Sequence, residues 1–444
     1  MGPPHRLRRD RQPHEGRCRP GGAEPQPHGR PPRGRGAPLN LWEPVQRADW
    51  IGAPEGLART DGTGVTAPDG FRAAGVAAGL KGGGLLDLGM LVSDRATSSA
   101  LVDTPSALPS AAVIYTRTLH AGSLRGVVVN SGCANAATGE QGIVDARAMG
   151  ETAAAAAGLP VGSLAVCSTG VIGERLPMKA LTAGVDAAAA GLSPDGGPDF
   201  GEAIRTTDAF AKGGTFQLAL PGGDVTVGTA AKGAGMIRPD MATMLAYVTT
   251  DACVLPDDLL AATRAAAADG FNRISVDGQM SPSDTLLVLA NGEGPPLEGV
   301  ALAQFADALQ AICRYLALLM VKDGEGAEHA VRVSVDGALD DAEAERVARG
   351  VGESALVRTA IYGRDANWGR VHQAVGQALA PIGGPVQFSL RFDGVLPDGQ
   401  GIDEVMARAE YEMQVGLGRG PGTAEVFVSD LGHGYVSVNA DYRT

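Results

Sequence analysis

Residues 232–250 read KGAGMIRPDMATMLAYVTT. Gly233, Gly235 and Pro239 make the first half of this stretch a loop, because glycine and proline break regular structure. The second half, 245–249, is apolar and rich in aromatic and β-branched residues, the pattern of a buried strand. Thr243 stands at the junction. Taken alone it reads most simply as a β-branched strand starter.

The same kind of run recurs on both sides, at 126–130, 216–220, 225–228, 285–289, 331–335, 386–392, 425–428 and 435–438. VRVSV, VQFSLRF, EVFVS and YVSVN alternate with period two, as strands with one buried face do. Ala-rich helical stretches lie between them, at 144–157, 178–189, 257–268, 302–321 and 342–348. In the fourth, Leu302, Phe305, Leu309, Ile312, Leu316 and Met320 recur at helical spacing, with Lys322 at the end that favours a cation. The mixture predicts an α/β (α+β) chain with a large mixed sheet system covered by helices.

The chain has 444 residues and a net charge of −13, with 44% hydrophobic residues. That apolar share excludes a disordered chain. The acidic balance disfavours phosphate backbones, so no nucleic-acid partner is expected. The first 40 residues differ from the rest, holding nine Arg and nine Pro against three acids, with no apolar run of signal-peptide type. Residues 1–47 are therefore expected to be a disordered Pro/Arg-rich tail, and 40–64 a linker or an ordered lead-in. Five cysteines lie far apart without a CxxC pair, which suits neither a disulfide framework nor zinc. The uncharged stretch 152–173 is interrupted by Gly158, Pro160 and Gly162. It reads as a helix end and a buried strand, so no membrane partner is expected and the cytoplasm is the expected setting. Neither a P-loop, a GxGxxG, an HExxH nor a GxSxG is present, and His120, His329, His372 and His433 lack metal spacing. A site without metal, built on Ser, Thr, Cys or carboxylates, is the expectation that remains.

Three stretches are too polar and glycine-rich for their apolar settings. VCSTGVIG at 166–173 suits either an oxyanion hole, from a hydroxyl and exposed N–H groups, or a tight strand-to-helix turn capped by Ser and Thr. The loop 232–244 is the second. The third, KDGEG at 322–326, suits a charged functional turn or a helix C-terminal turn with glycine left-handed.

Together with GVTAP and GF at 64–71, VNSGCANA at 129–136, TTD at 206–208, RISVDG at 273–278, NWGR at 367–370 and NADYRT at 439–444, these stretches resemble the ornithine acetyltransferase (glutamate N-acetyltransferase) family of arginine biosynthesis. The resemblance covers about residues 64–444, with the tags in the family's order. It implies an Ntn-like, self-processing architecture cleaved between Ala242 and Thr243. An α fragment (48–242) and a β fragment (243–444) would result, assembled as α2β2. The freed Thr243 would be the nucleophile, its own α-amine, with a pKa near 7.7–8.0, acting as base. Thr169 and Gly170 would hold the oxyanion. Thr206, Lys232, Thr243, Glu325, Asn439 and Thr444 match the substrate-binding positions, Lys232 suiting a substrate carboxylate and Glu325 a substrate amine. The substrates implied are N2-acetylornithine and L-glutamate, used in a ping-pong scheme with no cofactor. Acetyl-CoA stays open as a second donor. Asn439 as a strand-end turn and Thr206 as a buried hydroxyl are the plainer alternatives.

The chain departs from the family pattern at LVDTPS (101–106), at Gln279 and Pro282-Ser283, and at Asp365-Ala366. These positions bear on substrate preference and subunit packing. Two other readings compete: a self-processing aminopeptidase or amidase with water as acceptor, and a non-catalytic binder of acylated amino acids.

Overall fold

The computed structural model describes residues 43–238 and 244–441. Its fifteen strands, numbered along the chain, form three sheets. The first runs β1 (Leu57–Thr60), β7 (Lys212–Leu218), β8 (Val225–Lys232), β9 (Leu245–Thr250), β11 (Thr285–Ala290) and β4 (Ser98–Asp103). Only β9 and β11 are parallel there. The second runs β2 (Phe71–Val76), β3 (Leu88–Ser93), β5 (Gly126–Cys133) and β6 (Leu164–Val171), the last two parallel. The third runs β10 (Ile274–Ser275), β15 (Gly422–Ser429), β12 (Ala330–Ala338), β14 (Glu410–Gly416) and β13 (Ser389–Phe392).

Alternation along the strands explains the layering. On β9, Leu245 and Tyr247 pack with Val127, Val129 and Cys167 of the second sheet, while Ala246 and Val248 face the helices Pro256–Asp269 and Gly299–Lys322. On β5, Val128 faces the other way, toward the helices Gly139–Ala156 and Met178–Ala190. Two sheets thus stack face to face between two helix layers, the sheet system between helices expected from the sequence. The third sheet carries its own core with the helices Asp341–Gly352 and Trp368–Leu379.

The long helix Gly299–Lys322 buries Phe305, Leu309, Ile312, Leu316 and Met320, as their spacing predicts. Each such side chain contributes roughly 1.5–3 kcal/mol on burial. This helix is long and apolar enough to cross a membrane, yet most of it lies inside the protein. The uncharged stretch 152–173 is, as expected, a helix end followed by β6.

Three expectations need correction. The tail drawn at 1–47 extends too far: Val45 is buried, and the backbone N–H groups of Gln46 and Arg47 donate to Glu410, which also pairs with Lys322. Residues 1–42 lie outside the described residues. The run at 435–438 is not a strand but part of the helix His433–Asp441. Five residues of YVSVN are too few to separate a period of two from a helical one. Cys167-Ser168-Thr169 do not form a turn after a strand; they lie within β6, with Thr169 beside Ser131 and Gly170 beside Gly132 on β5.

Candidate active site

Thr169, Gly170, Thr206, Lys232, Glu325 and Asn439 all line one cavity of about 370 Å3. They arrive from five separate parts of the chain. Ala242, Thr243 and Thr444 lie outside the described residues.

Thr169 and Gly170 sit near the end of β6. Gly170 has φ +129°, and a Cβ there would run into the backbone of Gly132 and Cys133, so close pairing of β5 and β6 requires glycine. Lys232 ends β8 and is almost fully buried; its ammonium donates to Thr169 Oγ1 at 3.4 Å. Burial pushes the Lys232 ammonium down from its ordinary pKa, against the pull of Asp208. Glu325 follows the long helix on a turn closed by Gly326 at φ +69°. Its N–H donates to Ala234 O at 2.8 Å. A Cβ on Gly235 would strike the Glu325 carboxylate, so that glycine lets the two turns touch. Asn439 donates from Nδ2 to Glu325 Oε2 at 2.7 Å and to Tyr435 O at 3.0 Å, the latter one helical turn back. It is helical, not the strand-end turn considered from the sequence. Thr206 is half-buried, with its N–H on Asp208 Oδ2 at 3.0 Å.

The described residues on either side of 239–243 bond to carboxylates of one stretch. Asp277 accepts from the N–H groups of Met236 (2.6 Å) and Ile237 (2.9 Å), and from Gln279 N. Met236 has φ +56°, a left-handed backbone that costs a side-chain-bearing residue roughly 1–2 kcal/mol. Asp277 holds it there. On the far flank, Met244 N–H donates to Asp284 Oδ1 at 2.9 Å. Asp284 is fully buried, and burial pushes its carboxyl well above the ordinary range. Between the two anchors, Gln279, Met280, Ser281, Pro282 and Ser283 line the same cavity. The departures at Gln279 and Pro282-Ser283 therefore fall on the pocket wall.

Sequence reasoning missed several neighbours of the site. Asp208 and Asp277 were noted only as parts of tags, Asp284 only beside a departure, and Lys212 and Tyr435 not as site residues at all. Lys212 is fully buried, and a lysine buried without an apolar excuse needs carboxylate partners, which is a signal only once burial is known.

The ArgJ family model matches residues 72–444. The chain belongs to the ArgJ family. With that it is an enzyme. The arginine biosynthesis bifunctional protein ArgJ of Symbiobacterium thermophilum is 44% identical over 396 residues, covering 86% of this chain and 98% of that protein. The protein of the same name from Syntrophotalea carbinolica is 42% identical over 391 residues, 85% of this chain and 99% of its own length. Among solved structures, the ornithine acetyltransferase of Mycobacterium tuberculosis complexed with ornithine is 38% identical, with a TM-score of 0.38, covering 43% of this chain and 100% of that one.

Proposed function

We propose that this ArgJ-family chain cleaves itself between Ala242 and Thr243 and moves an acetyl group from N2-acetylornithine to L-glutamate through Thr243. The observation that carries the reading is one cavity with a buried ammonium, a carboxylate and a strand-end hydroxyl on its walls, with the flanks of 239–243 tied to the same wall. An α-amino acid presents both charges. Lys232 would take its carboxylate and Glu325 its nitrogen.

In the first half-reaction Thr243 Oγ attacks the acetyl carbonyl while its own α-amine takes the hydroxyl proton. Thr169 Oγ1 and the Gly170 N–H stabilise the oxyanion. The amide C–N bond then breaks, the proton passes to the departing nitrogen, and ornithine leaves. In the second half-reaction the glutamate amine attacks the acetyl ester and Thr243 Oγ recovers its proton. Self-cleavage would use the same hydroxyl on the Ala242 carbonyl, giving an ester that water opens. Strands β8 and β9 pair from Val227↔Thr250 to Lys232↔Leu245, so the two fragments would remain joined through a shared sheet. The relatives' bifunctional name agrees with acetyl-CoA as a second donor. We keep an α2β2 assembly and a cytoplasmic setting as parts of this proposal.

The test is kinetic. Double-reciprocal plots with N2-acetylornithine and glutamate should give parallel lines. Withholding glutamate should trap an acetylated fragment beginning at Thr243, seen by mass spectrometry. Intersecting lines without an adduct would point to direct transfer. Free acetate would indicate an amidase, and no product a binder.

A further inference from the structure

A buried chain of charges behind the pocket has no part in the chemistry above. Lys212 Nζ lies 2.6 Å from Asp208 Oδ1 and 2.6 Å from Asp323 Oδ2, with its side chain fully buried. Asp208 also accepts from Gly233 N at 2.7 Å, directly after Lys232, and from Thr206 N. Asp323 accepts from Ala209 N at 3.0 Å and lies two residues before Glu325. The chain Asp208–Lys212–Asp323 therefore links the strand end that presents Lys232, the segment that presents Thr206 and the turn that presents Glu325.

Lys232 itself touches no carboxylate among the described residues; its ammonium donates to the neutral Thr169 hydroxyl. Asp208, Asp284 and Glu325 act on it as anions, Lys212 and Lys81 as cations. We propose that Asp208 is a positioning residue for substrate binding. It fixes the Lys232–Gly233 turn and supplies the negative charge beside Lys232, with Lys212 and Asp323 locking it in place, so that Lys232 stays available for a substrate carboxylate. Burial drives Lys232 toward its neutral form, and Asp208 is the largest influence opposing that. Asp208 is suited to this because Lys212 and Lys232 hold its carboxyl well below the usual range despite burial. The inference rests on the proposed reading of Lys232.

The experiment is ornithine binding to the processed protein by calorimetry across the alkaline range. In the natural protein, binding should weaken as pH rises past the point where Lys232 loses its proton. Asp208→Asn keeps the shape and an acceptor but removes the charge. That alkaline edge should move down by about one unit, which is about tenfold weaker binding at a pH above both edges. A purely structural Asp208 would leave the edge in place, and an unmoved edge in a variant of normal melting temperature overturns the proposal. Adding Lys232→Arg should leave only the titration of ornithine's own amines, which Asp208→Asn then no longer shifts, because arginine keeps its charge throughout. An edge that Asp208→Asn still moves in that background belongs to another group and also overturns it. Should Asp208→Asn fail to fold, Asp323→Asn asks the question from the other end. Lys212 is then balanced by Asp208 alone, and the edge should still move down, by less; no movement counts against the proposal. Natural protein that binds no ornithine sinks both this inference and the functional reading, whereas good binding with an unmoved edge sinks this inference alone.

Discussion

The two walls of the pocket are built differently. Thr169, Gly170 and Lys232 lie inside strands, paired with neighbours across β5, β6, β8 and β9. Another wall is the helix His433–Asp441, in which no described residue is buried. It is held by Asn439 on Glu325, by Tyr435 OH on Asp277 at 3.4 Å, by His433 against Tyr362, and by Gly434 seated on Gly326. A group that must meet a developing oxyanion has to be fixed to a fraction of an ångström, and strands do that. A group that meets the flexible part of an amino acid tolerates a looser mount. The contrast predicts that changes to the oxyanion donors on the sheet wall lower kcat, and that changes on the helix wall raise KM.

The largest effect belongs to the stretch of sequence between β8 and β9. Thr243→Ala should leave a single uncleaved chain and no N-acetylglutamate, read by gel and by product analysis. Two fragments in that variant would show that another site or another protease does the cutting. Next comes the sheet wall itself. Thr169→Ala should slow turnover of processed enzyme by on the order of 10²–10³ with KM little changed, the usual loss for one oxyanion donor. Self-cleavage should slow with it. Unchanged kcat would move the oxyanion hole elsewhere and break the comparison.

These two sites also show what was legible in the sequence. The run 245–249 and the helix around Phe305–Met320 carry their periods over enough residues to be read directly, and both stand in the structure. The residues at the cavity were found through ordered sequence tags, which mark positions without geometry. Spacing in the chain could not show that Gly235 must be small for the Glu325 carboxylate, or that Asp208 meets Asp323 through Lys212, because those contacts join residues about ninety or more positions apart in the chain. The helix His433–Asp441 was misread because so short an alternation fits two periods, and the tertiary contacts through Gly326 and Asp277 decide between them.

Glu325 stands between the two walls, so its variant sharpens the comparison. Glu325→Gln keeps an acceptor for Asn439 but removes the charge that would meet the substrate nitrogen. A hydrogen bond to a charged group contributes about 1.5–3 kcal/mol, so KM for both substrates should rise by roughly 10- to 150-fold with a smaller change in kcat. An equal fall in kcat and kcat/KM would instead give Glu325 a role made only in the transition state.

The smallest effect should come from the helix wall. Tyr435→Phe removes one hydroxyl, at 3.4 Å from Asp277, a long hydrogen bond on an element with no buried residue. Such a bond contributes at most about 0.5–1.5 kcal/mol. Asp277 keeps its three backbone donors, so the Met236 turn should not move. The helix also keeps Asn439 on Glu325 and Gly434 on Gly326. KM should therefore rise no more than about tenfold, with kcat and melting temperature unchanged. Asn439→Ala cuts the shorter 2.7 Å contact and should cost more in KM than Tyr435→Phe while still sparing kcat. If either substitution lowered kcat as Thr169→Ala does, the helix would have to hold the reacting groups as firmly as the strands. The division between a rigid chemical wall and a tethered binding wall would then fail.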